Sequence, residues 1–187
     1  METTSLAGRL LVATPALADP NFDRTVVFLL QHTDEGAMGL ILNRPSGLPV
    51  AEHVEAWADM VAPPEEVFLG GPVQPEIAVA LAWTDSGQPL PDGLEPVTDR
   101  CGVVDLRREP AEFAGVLLGV RIFSGYAGWA PGQLEMELTT GSWFTLDAEP
   151  ADTATPDPDN LWRYVFRRQR TRDLRLLATY PEDPTLN

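Results

Sequence analysis

The chain has 187 residues and a formal net charge of -15, from 28 acidic and 13 basic residues, and every basic residue is an arginine. Such a field repels nucleic-acid phosphates and anionic lipid at long range, which disfavours an autonomous nonspecific nucleic-acid binder and direct nucleic-acid binding, though a local basic face would oppose that average. A hydrophobic content of 44% excludes wholesale disorder, and a chain this long buries roughly 70% of its unfolded surface, so a single domain over 1–187 is expected.

The opening Met1–Arg9 lacks the basic leader and apolar core of a signal peptide, and no later segment approaches the ~20 continuous apolar residues of a membrane span. The expectation is a cytoplasmic protein with no membrane segment. Leu10–Val12 reads as a strand stopped at Thr14–Pro15. Thr25–Leu30 is a stronger strand, β-branched, aromatic and apolar on both faces, hence central and covered on both sides. Met38–Leu42 supplies its partner across the short polar connection His32–Gly36. That spacing predicts an antiparallel hairpin with His32 and Asn43–Arg44 near adjacent strand ends.

Val50, Val54 and Trp57, spaced i, i+4 and i+7, predict an amphipathic helix over Val50–Met60 packed on that hairpin, begun near Pro49 and stopped by Pro63–Pro64. Glu66–Leu69 and Ile77–Trp83 are strand candidates on either side of Gly70–Gly71–Pro72. That loop is constrained but lacks the Gly-x-x-x-x-Gly-Lys-Ser/Thr pattern of a phosphate loop. Asp85–Arg100 reads as an exposed, turn-rich excursion, followed by strands at Gly102–Leu106 and Val116–Phe123, the latter ending at Ser124–Gly125.

Pro131–Gly132–Gln133 opens a short helix in which Leu134 and Leu138 share a face, and Trp143–Leu146 is a strand. The acidic, proline-rich Asp147–Asn160 is placed on the surface. In the helix that follows, Trp162, Val165, Phe166 and Gln169 form one face and Arg163, Arg167 and Arg170 another, solvated or paired with acidic groups, with nucleic acid or an acidic protein partner as the alternative. Leu174–Ala178 is expected to return as a strand. No βαβ unit repeats, so the fold class is α+β, a mixed domain of sheet and packed helices.

Leu6–Pro15, Asp19–Val27, His32–Pro45, Gly70–Val73, Gly125–Glu135 and Gly141–Trp143 together closely resemble the YqgE/AlgH family over nearly the whole chain. The resemblance implies a compact mixed domain with coiled or bifurcated β-sheet regions. It also implies a regulatory association, since one branch is linked to transcriptional control of an exopolysaccharide pathway, but no established reaction. No helix-turn-helix signature accompanies it here.

Arg24, His32, Asn43, Arg44, Tyr126, Trp129 and Gln133 lie inside the matching motifs and are the ligand-binding candidates, suited to an anionic or amide-containing ligand. Each also has a scaffold reading: an arginine neutralising a carboxylate, Asn43 capping a turn, Trp129 pinning the next helix. His32 is the formal acid–base candidate. Ser124 lacks a Gly-x-Ser-x-Gly elbow, and Cys101, the only cysteine, excludes an intrachain disulfide and a cysteine-rich metal site.

His32, Asp34 and His53 do not have diagnostic zinc spacing, so neither metal nor cofactor is expected. The leading reading is a regulatory or adaptor-like protein with a small-molecule or protein partner. The alternative is a small-molecule enzyme using a polar pocket near His32, with non-enzymatic action favoured and catalytic residues unassigned. A deep polar pocket joining His32 to Asn43, Arg44 or Tyr126 would favour the enzyme, and a shallow aromatic and arginine-lined surface the adaptor. Oligomeric state is not set by the sequence.

Overall fold

In the computed structural model, which describes residues 4–182, β1 (Arg9–Ala13), β2 (Val26–Thr33), β3 (Gly36–Ile41) and β4 (Pro45–Pro49) come first, followed by a short helix α1 (Val50–His53) and a 3-10 turn at Glu55–Met60. Next come β5 (Glu66–Leu69), β6 (Val73–Thr84), β7 (Leu94–Pro96), β8 (Cys101–Val104) and the long β9 (Leu117–Trp129). The helix α2 (Gln133–Thr139), β10 (Trp143–Asp147), and the helices α3 (Pro150–Thr153), α4 (Leu161–Arg167) and α5 (Arg172–Leu177) complete the chain. Met1–Thr3, part of the segment read above against a leader, lies outside the described residues.

The main sheet runs β10-β1-β2-β3-β9-β6-β8-β7, antiparallel throughout, and forks at β9. Leu117–Ser124 of β9 pairs with β6 and Ala127–Trp129 pairs with β3, while Phe123 and Ser124 also pair in parallel with β5, which carries β4. The sheet curls into a half-barrel. Gly8, at the mouth of β1, approaches Thr98 beyond β7 so closely that a side chain there would meet the Thr98 methyl at 3.0 Å.

β1 and β2 are covered on both faces, which is why Val26–Leu29 reads as an unbroken apolar run. Leu10, Val12, Val26 and Phe28 pack with Trp162, Val165 and Phe166 of α4. Leu11, Ala13, Val27 and Leu29 face Leu134 of α2 with Trp129 and Trp143. A further core gathers Trp57, Phe113, Val104, Ala80, Ala82, Val120 and Ile122.

Several expectations need correction. The Val50–Met60 helix is broken at Val54 (φ -137, ψ 59), because Trp57 is drawn into the core beside Phe113, rings 5.9 Å apart, and donates its indole N–H to the Leu106 carbonyl at 3.1 Å. It therefore packs on the β6–β9 side and not on the β2–β3 hairpin. Leu174–Leu177 is helical in α5 and Ala178 is its C-cap: Leu174, Leu177 and Ala178 follow an i, i+3, i+4 spacing toward the α4 core. The strand ending predicted at Ser124 instead continues to Trp129. In the excursion 147–160, Asp152, Thr153 and Thr155 are buried, and Asp85–Arg100 contains β7.

Candidate functional site

The β2–β3 hairpin forms as the spacing predicts, but its register sets His32 opposite Ala37 at the turn and Val27 opposite Ile41 at the far end. His32 and Asn43–Arg44 thus occupy opposite ends of the hairpin, separated along the strand by about 20 Å. This corrects their expected meeting.

At the far end, Asn43 accepts the Val26 N–H at 2.9 Å and donates to the Arg24 carbonyl at 2.9 Å. Arg44 donates to the Pro20 and Asp23 carbonyls, each at 3.0 Å. These side chains bind the 19–24 loop to the sheet, and Arg24 itself turns away toward Trp162 and Tyr180.

At the turn end, the nearly buried His32 ring accepts the Leu6 N–H on Nδ1 at 3.1 Å, leaving its proton on Nε2, which donates to Glu135 Oε1 at 2.7 Å. The Glu135 carboxyl is held below the usual carboxylate range, first by its own backbone N–H and then by His32. Two residues on, Glu137 accepts the indole N–H of Trp129 at 2.9 Å, that of Trp143 at 2.8 Å and the Gln133 amide at 2.9 Å. Phe22 lies 6.1 Å from the Trp129 ring and meets the Trp143 ring edge-on at 5.5 Å. Thus His32, Trp129 and Gln133 converge on the α2 carboxylates, while Tyr126 stands apart, donating to Gln74 at 3.0 Å.

The nucleophile candidates are engaged or sealed. Ser124 donates to the Pro75 carbonyl at 2.5 Å, and burial pushes the Cys101 thiol up to about 12. A thiol whose pKa rises on folding stabilises the native state below its unfolded pKa, and that advantage is lost as pH climbs from ~9 toward the folded value. Relative to Cys101→Ala, the native chain is expected to lose about 2 kcal/mol between pH 9 and 10.5, measurable by urea titration. Among the described residues, no group of three or more His, Cys, Asp or Glu side chains is placed to hold a metal ion, and no helix is long and apolar enough to cross a membrane.

A cavity of about 710 Å³ forms a groove on the curl of the sheet between the β2–β3 hairpin and the β7–β8 edge. Leu30, Met38, Val79, Val97 and Val103 supply its apolar surface, and Gln31, Glu95, Asp105 and Arg107 its polar one. Asp105 and Arg107 are paired at 2.7 Å, and the Arg107 hydrogen bonds hold the Asp105 carboxyl down to about 2. None of these groove residues was singled out from sequence. The readable signal is the apolar pair Leu94 and Val97 flanking Glu95–Pro96 behind Gly93, inside the turn-rich excursion Asp85–Arg100. A smaller cleft of about 150 Å³ includes Arg44 and Ser124.

The curled and forked sheet, with short helices on its faces, defines an α+β half-barrel. The AlgH-like family model matches residues 10–173, and the chain belongs to that family. A UPF0301 protein of Streptomyces avermitilis is 51% identical over 189 residues, covering 100% of this chain and 97% of that one. A UPF0301 protein of Mycolicibacterium smegmatis is 42% identical over 182 residues, covering 96% of this chain and 90% of the relative. The crystal structure of a Corynebacterium diphtheriae protein superposes with a TM-score of 0.86 at 32% identity, covering 92% of this chain and 91% of that one. The solution structure of the AlgH protein from Pseudomonas aeruginosa gives 0.66 at 34% identity, with 98% of each chain covered.

Proposed function

We propose that this chain is a cytoplasmic regulatory or adaptor protein that acts by holding a small molecule or a short protein segment in the groove between the β2–β3 hairpin and the β7–β8 edge. The observation that carries this reading is the groove itself. Its volume, about 710 Å³, falls within the ~300–1,000 Å³ of typical ligand sites, and it joins apolar side chains to a few polar ones. Family membership supports the regulatory assignment. The enzyme alternative needs a polar pocket that unites His32 with Asn43, Arg44 or Tyr126; the hairpin register sets His32 at the opposite end from Asn43 and Arg44, and the Tyr126 hydroxyl is engaged by Gln74.

Native mass spectrometry of the protein purified gently from its own cytoplasm tests the proposal. A stoichiometric adduct is expected, and Gln31→Trp, which fills the groove from an exposed strand position, should abolish it. An adduct retained equally by that variant would place the ligand elsewhere, and a clean apo protein would remove tight groove binding.

A further inference from the structure

Several features left unexplained by the groove converge on Arg24. Its backbone sits at φ 52, a left-handed conformation uncommon for a residue with a long side chain, and the Asn43 amide holds it there. The guanidinium lies 4.7 Å from the centre of the Trp162 ring and 5.9 Å from that of Tyr180. Nη2 donates to the Pro181 carbonyl. Nη1 is buried and has no hydrogen-bond partner.

Arg163, beside Trp162, donates through Nη1 to the Ala178 carbonyl at 2.7 Å and stands 3.5 Å from the Glu182 carboxylate. Residues 178–182 therefore cross two arginines and an indole as a strap. They present backbone carbonyls, one aromatic ring and one carboxylate to that seat.

Ala178, 2% exposed, anchors the start of the strap, and the remainder is lightly held. Tyr180 is 38% exposed, the Glu182 side chain is 83% exposed, and α5, which leads into it, buries no residue. Tethering supplies an effective concentration that a free segment lacks, so modest contacts suffice to seat it. The match is also incomplete: a single carbonyl satisfies one N–H of Arg24, whereas a carboxylate accepts from both terminal nitrogens of a guanidinium. We propose that Arg24, Trp162 and Arg163 form a recognition site for an acidic peptide segment carrying an aromatic residue, and that the C-terminal strap fills this site until such a segment displaces it. The site is separate from the groove and stands or falls independently of it.

Fluorescence anisotropy with a labelled peptide of sequence 178–187 provides the test, using the full-length chain and a strap-weakened Tyr180→Gly/Glu182→Arg variant. The variant is expected to bind the peptide at least tenfold tighter than the native chain, and adding Arg24→Gln should erase the gain. Arg163→Gln repeats that control outside the 19–24 loop, with circular dichroism confirming the fold. Equal affinity of the native and strap-weakened chains, absence of binding by both, or a gain that survives both arginine substitutions would overturn the proposal.

Discussion

Asp152→Ala is expected to lower stability by about 3–5 kcal/mol, as a shift of the urea midpoint at unchanged slope. The Asp152 side chain is 1% exposed, and both of its oxygens meet Arg168, Oδ1 to Nη1 at 2.5 Å and Oδ2 to Nη2 at 2.7 Å. Oδ2 also accepts the Glu149 N–H at 2.7 Å, capping α3. Removing the carboxylate would strand a largely buried guanidinium, left with the Asp147 carbonyl at 3.0 Å, the half-exposed Glu149 at 3.5 Å and the Tyr164 ring 5.9 Å away. The cost of breaking such a pair is mostly that of the orphaned charge, so Asp152→Leu/Arg168→Met is expected to lie closer to the native stability than Asp152→Ala does. A cost below ~1 kcal/mol for Asp152→Ala would mean that the Asp152–Arg168 pair does not anchor α3, which is then held by contacts such as that of Arg121 with the Thr153 carbonyl.

That pair also shows where the sequence stops being readable. The strand segments Val26–Leu30 and Met38–Ile41 are legible because short apolar runs and β-branching act locally. Asp152 read as surface because its neighbours are prolines, aspartates and threonines; nothing local names a partner sixteen positions away. The candidate residues behaved likewise. Their motifs are visible in the chain, but His32 finds Glu135, Trp129 finds Glu137 and Arg24 finds Pro181 only after the sheet has curled.

The glycines of Gly125–Gly128 misled for a related reason. They suggested a turn after Phe123, whereas the strand runs on to Trp129. Glycine in this region marks a close approach of two backbones: Gly71, at φ 155, lies so near β9 that a side chain on it would fall 2.2 Å from the Tyr126 carbonyl carbon. The groove is not legible in the sequence because its walls come from strands distant along the chain, and because one wall is β7, which is only three residues long.

Arg121 poses the opposite electrostatic problem, a buried cation whose partners are carbonyls and a ring. The residue is 0% exposed. Its Nη2 donates to the Pro63 carbonyl at 2.7 Å and its Nη1 to the Thr153 carbonyl at 3.3 Å, while the guanidinium lies 4.4 Å from the centre of the Phe68 ring. Its Nε is buried without a hydrogen-bond partner, and burial draws its pKa down to about 10. A base whose pKa falls on folding is worse off charged in the native state than in the unfolded one, so near neutral pH this guanidinium carries a penalty that its contacts must offset.

Two substitutions separate those terms. Arg121→Ala opens a cavity beside Phe68 and leaves both carbonyls without this donor, for an expected loss of about 3–5 kcal/mol. Arg121→Met keeps much of the apolar stem and removes the buried charge, so about 1–2 kcal/mol is expected. At the ~2–4 °C per kcal/mol typical of a chain this size, the alanine variant should melt several degrees below the methionine variant. If the two instead melt together, well below the native chain, the hydrogen bonds to Pro63 and Thr153 outweigh both packing and desolvation. Arg121 would then act chiefly as the tie that fastens the loop before β5 and the helix α3 onto the central strand β9.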